Sequence, residues 1–126
     1  MNVATFLIID DSMVMRTILR YLLERCGEKV LAEGKDSEEA VALTRELNPG
    51  AIAIAASLRG EDGLAVLAAI RQTGWIGKAF FTVSGEQSAA EGAARQANVD
   101  GVLRKPFTLD QVRAEVGRVV AGGEQG

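Results

Sequence analysis

The sequence predicts an α/β protein in which five short buried strands alternate with five helices, a (βα)5 doubly wound parallel sheet. Three observations point there. Phe6-Leu7-Ile8-Ile9 is an unalternated run of large apolar residues, the pattern of a strand covered on both faces, and it ends abruptly on two adjacent carboxylates, Asp10 and Asp11. Further short apolar runs recur downstream, each separated from the next by a segment of helical period. No linker or shift of composition divides the 126 residues, so residues 1–121 read as one domain and the glycine-rich 122–126 as a disordered tail.

The elements follow in order. After Asp11, apolar residues recur at Met15, Ile18, Leu19, Leu22, Leu23 and Cys26, the stripe of a helix that Gly27 ends. Lys29 to Glu33 is a second strand. Asp36 and Glu39 have the spacing of a helix start, and that helix runs to about Asn48, before Pro49-Gly50. Ala51 to Ala55 is the third strand, Ala56 to Asp62 a loop, and Gly63 to Thr73 a helix burying Val66, Leu67 and Ile70. Trp75 falls in a loop between Gly74 and Gly77, and Ala79 to Val83 is the fourth strand. A helix of small residues over 87–97 buries little area and is expected to be the loosest element. Gly101 to Arg104 is the fifth strand, and Thr108 caps a last helix with an inner stripe of Leu109, Val112, Val116, Val119 and Val120.

Composition bounds the function. A net charge of −3 without a Lys/Arg run argues against nucleic acid as a direct partner. The absence of histidine excludes His-dependent metal sites and His-based triads. No apolar run approaches the ~20 residues of a membrane span. With no secretory pattern and one cysteine, Cys26, read as core, the expected home is a reducing cytoplasm.

Ligands of open α/β sheets gather at the carboxyl ends of the strands. Those ends supply Asp10 and Asp11, Ala55, Ser84 and Lys105. Two carboxylates, a hydroxyl and an ammonium on one edge suit a hard divalent cation with an oxyanion. Plainer readings stand beside this one. Asp11 or Ser12 can simply cap the first helix, Ser84 is a common strand-end residue, and Lys105 can serve only to neutralise the acid pair.

In this order and spacing, Asp10-Asp11-Ser12, Asp62-Gly63-Leu64, Ser84-Gly85-Glu86 and Lys105-Pro106-Phe107 resemble a receiver domain of the bacterial response-regulator family, over essentially the whole chain. The resemblance implies a flavodoxin-like strand order 2-1-3-4-5. It also implies an acid pair that holds magnesium and a third aspartate, ending strand 3, that accepts a phosphoryl group from a histidine kinase. A lysine would contact the phosphoryl oxygens, and a switch would couple the strand-4 hydroxyl to an aromatic on strand 5. Pro106 matches the family's cis proline and Phe107 a core position.

The sequence departs from that pattern at its central step. The phosphoacceptor position falls on Ala55, and Gly50 to Arg59 holds no acidic residue that a shift of register could supply. Arg59 stands where the family has proline, and Val102 where it has the switch aromatic that partners the hydroxyl of Ser84 in the switch. The expectation is therefore a stand-alone, chemotaxis-like receiver of two-component signalling that lacks its phosphoacceptor and works by binding a protein rather than as an enzyme. It needs no cofactor, retains at most weak magnesium binding at Asp10 and Asp11, and involves neither nucleic acid nor membrane. Its partner would be a histidine kinase, a phosphotransfer protein or another signalling protein. Two alternatives are an ordinary phosphorylatable single-domain receiver carrying an engineered Asp→Ala substitution at position 55, and an aspartyl-nucleophile phosphatase using Asp10. The second resembles D-x-D, and position 12 is serine. With Met15, Ile18, Leu19 and Leu22 inward, Met13, Val14, Thr17 and Tyr21 face solvent as candidate partner contacts.

Overall fold

A computed structural model describes residues 4–84, 92 and 99–124. The chain runs β1 (Thr5–Ile9), α1 (Met13–Arg25), β2 (Lys29–Gly34), α2 (Ser37–Leu47) and β3 (Ala51–Ala55), then β4 (Ser57–Leu58) and β5 (Glu61–Asp62), α3 (Gly63–Gln72), β6 (Lys78–Ser84) and β7 (Gly101–Lys105), and ends in a C-terminal helix, Leu109–Glu124. Five strands form one parallel sheet in the order β2-β1-β3-β6-β7, which is 2-1-3-4-5 once the small β4–β5 ribbon is set aside.

Side-chain alternation along these strands builds two cores, one on each face. Phe6, Ile8, Phe80 and Leu103 pack with Leu19 and Leu23 of α1 and Val112 and Val116 of the C-terminal helix. Leu7, Ile9, Ile52, Ile54 and Phe81 pack with Ala40 of α2 and with Val66 and Ile70 of α3. Both faces are thus covered, which is why the central strands β1, β3 and β6 read as nearly continuous apolar runs rather than alternating ones.

Local signals act as expected. The Asp36 carboxylate accepts the Glu39 N–H at 2.9 Å, and Glu39 accepts the Lys35 N–H at 2.9 Å. Gly27, at φ 87°, ends α1. Trp75 is buried in its loop, with its indole N–H donating to the Pro49 carbonyl at 2.7 Å and the Arg71 guanidinium 4.7 Å from its ring centroid.

Several elements differ from the sequence reading. Residues 56–62 are not a plain loop, because β4 and β5 pair as an antiparallel hairpin. Arg59 at φ 48° and Gly60 at φ 83° form its two-residue turn, the twist such hairpins favour. Leu58, fully buried, anchors it, and strands of two residues are too short to show a period. Ile18 points outward, 37% exposed, because the inner stripe of α1 centres on Leu19, Leu22 and Leu23. Cys26 sits half-buried at the end of α1, on the border of the core rather than within it. The C-terminal helix runs on through Gly122 and Gly123, which weaken a helix by about 1 kcal/mol each relative to alanine but do not block it as proline would. Of the helix expected over 87–97 only Gly92 is described, as helical; its other residues, together with Gly85, Glu86, Gln125 and Gly126, lie outside the described residues.

Candidate functional site

The site forms where β1 runs out. Asp10 is buried, one oxygen accepting the Ser12 N–H at 2.9 Å and the other meeting Lys105 Nζ at 2.8 Å. The Asp10 carbonyl accepts from Arg16 at 2.6 Å. A carboxylate this deep requires a charged partner, and Lys105 provides it. Lys105 follows the Leu103 core position at the end of β7, and its bond to Pro106 is cis.

This ion pair has a geometric consequence. Asp10 continues β1 while Lys105 ends β7, so β3 and β6 lie between them, with neighbouring strands spaced about 4.8 Å apart. The lysine reaches across those two strand ends. Ala55 ends β3 level with Asp10, since Ile9 pairs with Ile54, and it is 1% exposed. A solvated position 55, which its place at a strand end suggests, is therefore not what the fold provides. Gly63 packs against the same spot, for a β-carbon on it would stand 2.2 Å from the Ala55 carbonyl oxygen.

Asp11 is exposed and turned the other way. Its carboxylate accepts the backbone N–H of Arg59 at 2.9 Å, tying β1's end to the hairpin turn. Ser12 is the N-cap of α1, accepting the Met15 N–H at 3.2 Å, so the cap belongs to the serine. Asp62 likewise caps α3 through the Leu64 N–H at 3.1 Å. Ser84 is exposed at the end of β6, in register with Lys105. Val102 is half-buried against the α2/α3 core, and its N–H donates to Glu115 at 2.8 Å.

The structure thus brings Asp10, Ala55, Ser84 and Lys105 to one edge and separates the two acids by what each holds. As a magnesium site the donor set is poor. A hard dication takes about six oxygens at about 2.0–2.1 Å. Here both Asp10 oxygens and one Asp11 oxygen already accept from protein donors, and position 55 offers a methyl group. Among the described residues no three acidic, cysteine or histidine side chains converge on a point.

Sequence reasoning missed two participants. Arg59 acts through its backbone, which no side-chain pattern reveals. Thr82, the register neighbour of Ala55, is buried with its hydroxyl unpartnered among the described residues, inside a strand that reads simply as apolar.

Beside the crevice, the outer face of α1 is open to solvent. Met13, Val14 and Tyr21 are 69%, 60% and 57% exposed, Thr17 is exposed, and Ile18 extends the patch. The Tyr21 hydroxyl accepts from Arg25 at 3.0 Å, and the Arg25 guanidinium lies 5.8 Å from the ring centroid.

Comparison with known proteins agrees with this architecture. The family model of the response regulator receiver domain matches residues 6–117. The chain is 30% identical over 107 residues to the chemotaxis protein CheY of Listeria monocytogenes, covering 84% of this chain and 89% of that one. It is 27% identical over 115 residues to CheY of Bacillus subtilis, covering 90% and 95%. Among solved structures, the REC domain of AraT, a response regulator from Geobacillus stearothermophilus, superposes with a TM-score of 0.85 at 25% identity, covering 98% of each chain.

Proposed function

Because the chain belongs to the response regulator receiver family of two-component signalling, we propose that it is a receiver that takes up no phosphoryl group and signals by binding another protein, independently of phosphorylation. One observation carries this reading. The strand end facing the Asp10–Lys105 pair holds Ala55, and an alanine methyl is neither a nucleophile nor a metal ligand. The expected requirement for a cofactor is accordingly none, with magnesium at most a weak visitor to Asp10 and Asp11.

Receiver domains engage signalling proteins such as kinases, and the α1 face fits that kind of contact. Met13, Val14, Ile18 and Tyr21 present apolar area with no core to serve, at the rim of the crevice. No helix among the described residues is long and apolar enough to cross a membrane.

The test is capture of partners from bacterial lysate by the parent chain and by a Met13→Glu/Val14→Glu variant. Both sites are exposed, so the thermal midpoint should stay nearly unchanged while a specifically captured signalling protein is lost. Capture should also be indifferent to added acetyl phosphate and magnesium. Retained binding in the variant would refute the α1 face, and capture that depends on the phosphodonor would refute independence from phosphorylation.

A further inference from the structure

The poor fit of the acid pair to a cation has a cause within the chain. Asp11 is exposed and next to a second carboxylate, yet it does not stand free, because the Arg59 amide donates to it at 2.9 Å. Arg59 occupies the left-handed region at φ 48°, where residues with a β-carbon are disfavoured, so other contacts must hold the turn in place. They are on hand. Leu58, one residue before, is fully buried. Ser37, at the start of α2, donates its hydroxyl to Glu61 at 3.0 Å on the other strand. Gly63 donates to the Ala56 carbonyl at 2.9 Å, closing the base of the hairpin.

We propose that the β4–β5 hairpin is a latch over the crevice, in which the Arg59 N–H takes on Asp11 the place of a cation, while Lys105 does the same on Asp10. Three of the four carboxylate oxygens of the pair then accept from the chain's own donors. A dication that takes the same Asp11 oxygen must displace the turn, so cation binding and the closed hairpin oppose each other, and each weakens the other by the same factor. This goes beyond the proposed function and does not rest on it, since it concerns residues 11 and 59 in the parent chain whatever the partner is.

The experiment uses amide exchange and magnesium titration on the full chain, followed by NMR. Asp11→Ala removes the acceptor, and the Arg59 amide, on an exposed residue with no other acceptor among the described residues, should exchange about tenfold faster or more, while the Leu23 and Ile54 amides keep their protection. Arg59→Gly keeps the N–H and tolerates the left-handed turn, so Arg59→Gly should match the parent in magnesium affinity. Arg59→Pro removes the donor and fixes φ at about −65°. With the latch gone, magnesium should bind Arg59→Pro about tenfold more tightly than the parent, read from the Asp10 and Asp11 amide shifts. If Arg59→Pro fails to fold, the exchange rate in Asp11→Ala decides alone. Unchanged exchange of the Arg59 amide in Asp11→Ala, or a folded Arg59→Pro that binds magnesium no better than Arg59→Gly, would overturn the latch.

Discussion

At position 55 and around it, single side chains set what the crevice can do. Ala55 lies under the Lys105–Asp10 pair, and Gly63 fits against its carbonyl only because it lacks a β-carbon. Gly63→Ala should therefore push the hairpin base off the strand end and cost about 1–3 kcal/mol, measurable by urea unfolding. The lone thiol offers a pH test. Burial raises the Cys26 pKa above its ordinary value, outweighing the lowering effect of Arg113 beside it. A raised pKa leaves less thiolate at any given pH, so alkylation at neutral pH should be slower than for a free thiol, and its rate should climb only at more alkaline pH. Iodoacetamide kinetics across pH would check this, with a rate already saturated near neutrality as the contrary result. The sequence showed Asp10, Ser84 and Lys105 at the right strand ends, because side-chain type and spacing carry that information. It could not show that Asp10 takes Lys105 while Asp11 takes the Arg59 backbone, since pairing depends on where loops travel in space.

Among the elements, the three central strands were legible because burial on both faces gives largely unalternated apolar runs, as in Phe6 to Ile9 and Ala51 to Ala55. The hairpin was not, since its strands are two residues each and its turn depends on backbone angles at Arg59 and Gly60. Its one sequence-visible anchor is Leu58. Leu58→Ala should cost about 2–5 kcal/mol by leaving a cavity beneath the turn, seen as a lower urea midpoint with an unchanged m-value. A cost below about 1 kcal/mol would mean the hairpin is held by its polar ties rather than by packing. The sheet's far edge is managed by another element. Gln111 accepts the Arg104 N–H and donates to the Arg104 carbonyl at 3.0 Å, while Glu115 accepts the Val102 N–H, so side chains of the C-terminal helix occupy edge groups that would otherwise invite another strand.

For the molecule as a whole, topology does the work of assembly. The order β2-β1-β3-β6-β7 sets β1 and β3 side by side at the centre, and the loops leaving them meet β6 and β7 at one edge, next to the exposed start of α1. The receiver family and its strand order could be read from four short motifs taken together, whereas each alone is weak. What they left open is whether the remaining acid pair, serine and lysine still act as a phosphorylation site; the proposal that they do not rests on the methyl group at position 55 and on acid oxygens that already accept from protein donors. Ala55→Asp returns the missing carboxylate to a crevice whose other groups are in place, so it should gain magnesium-dependent labelling. The most direct measurement is the intact mass of the parent chain and of Ala55→Asp after incubation with acetyl phosphate, with and without magnesium. The account predicts a phosphoryl adduct on Ala55→Asp in the presence of magnesium and none on the parent, and an adduct on the parent chain would contradict it.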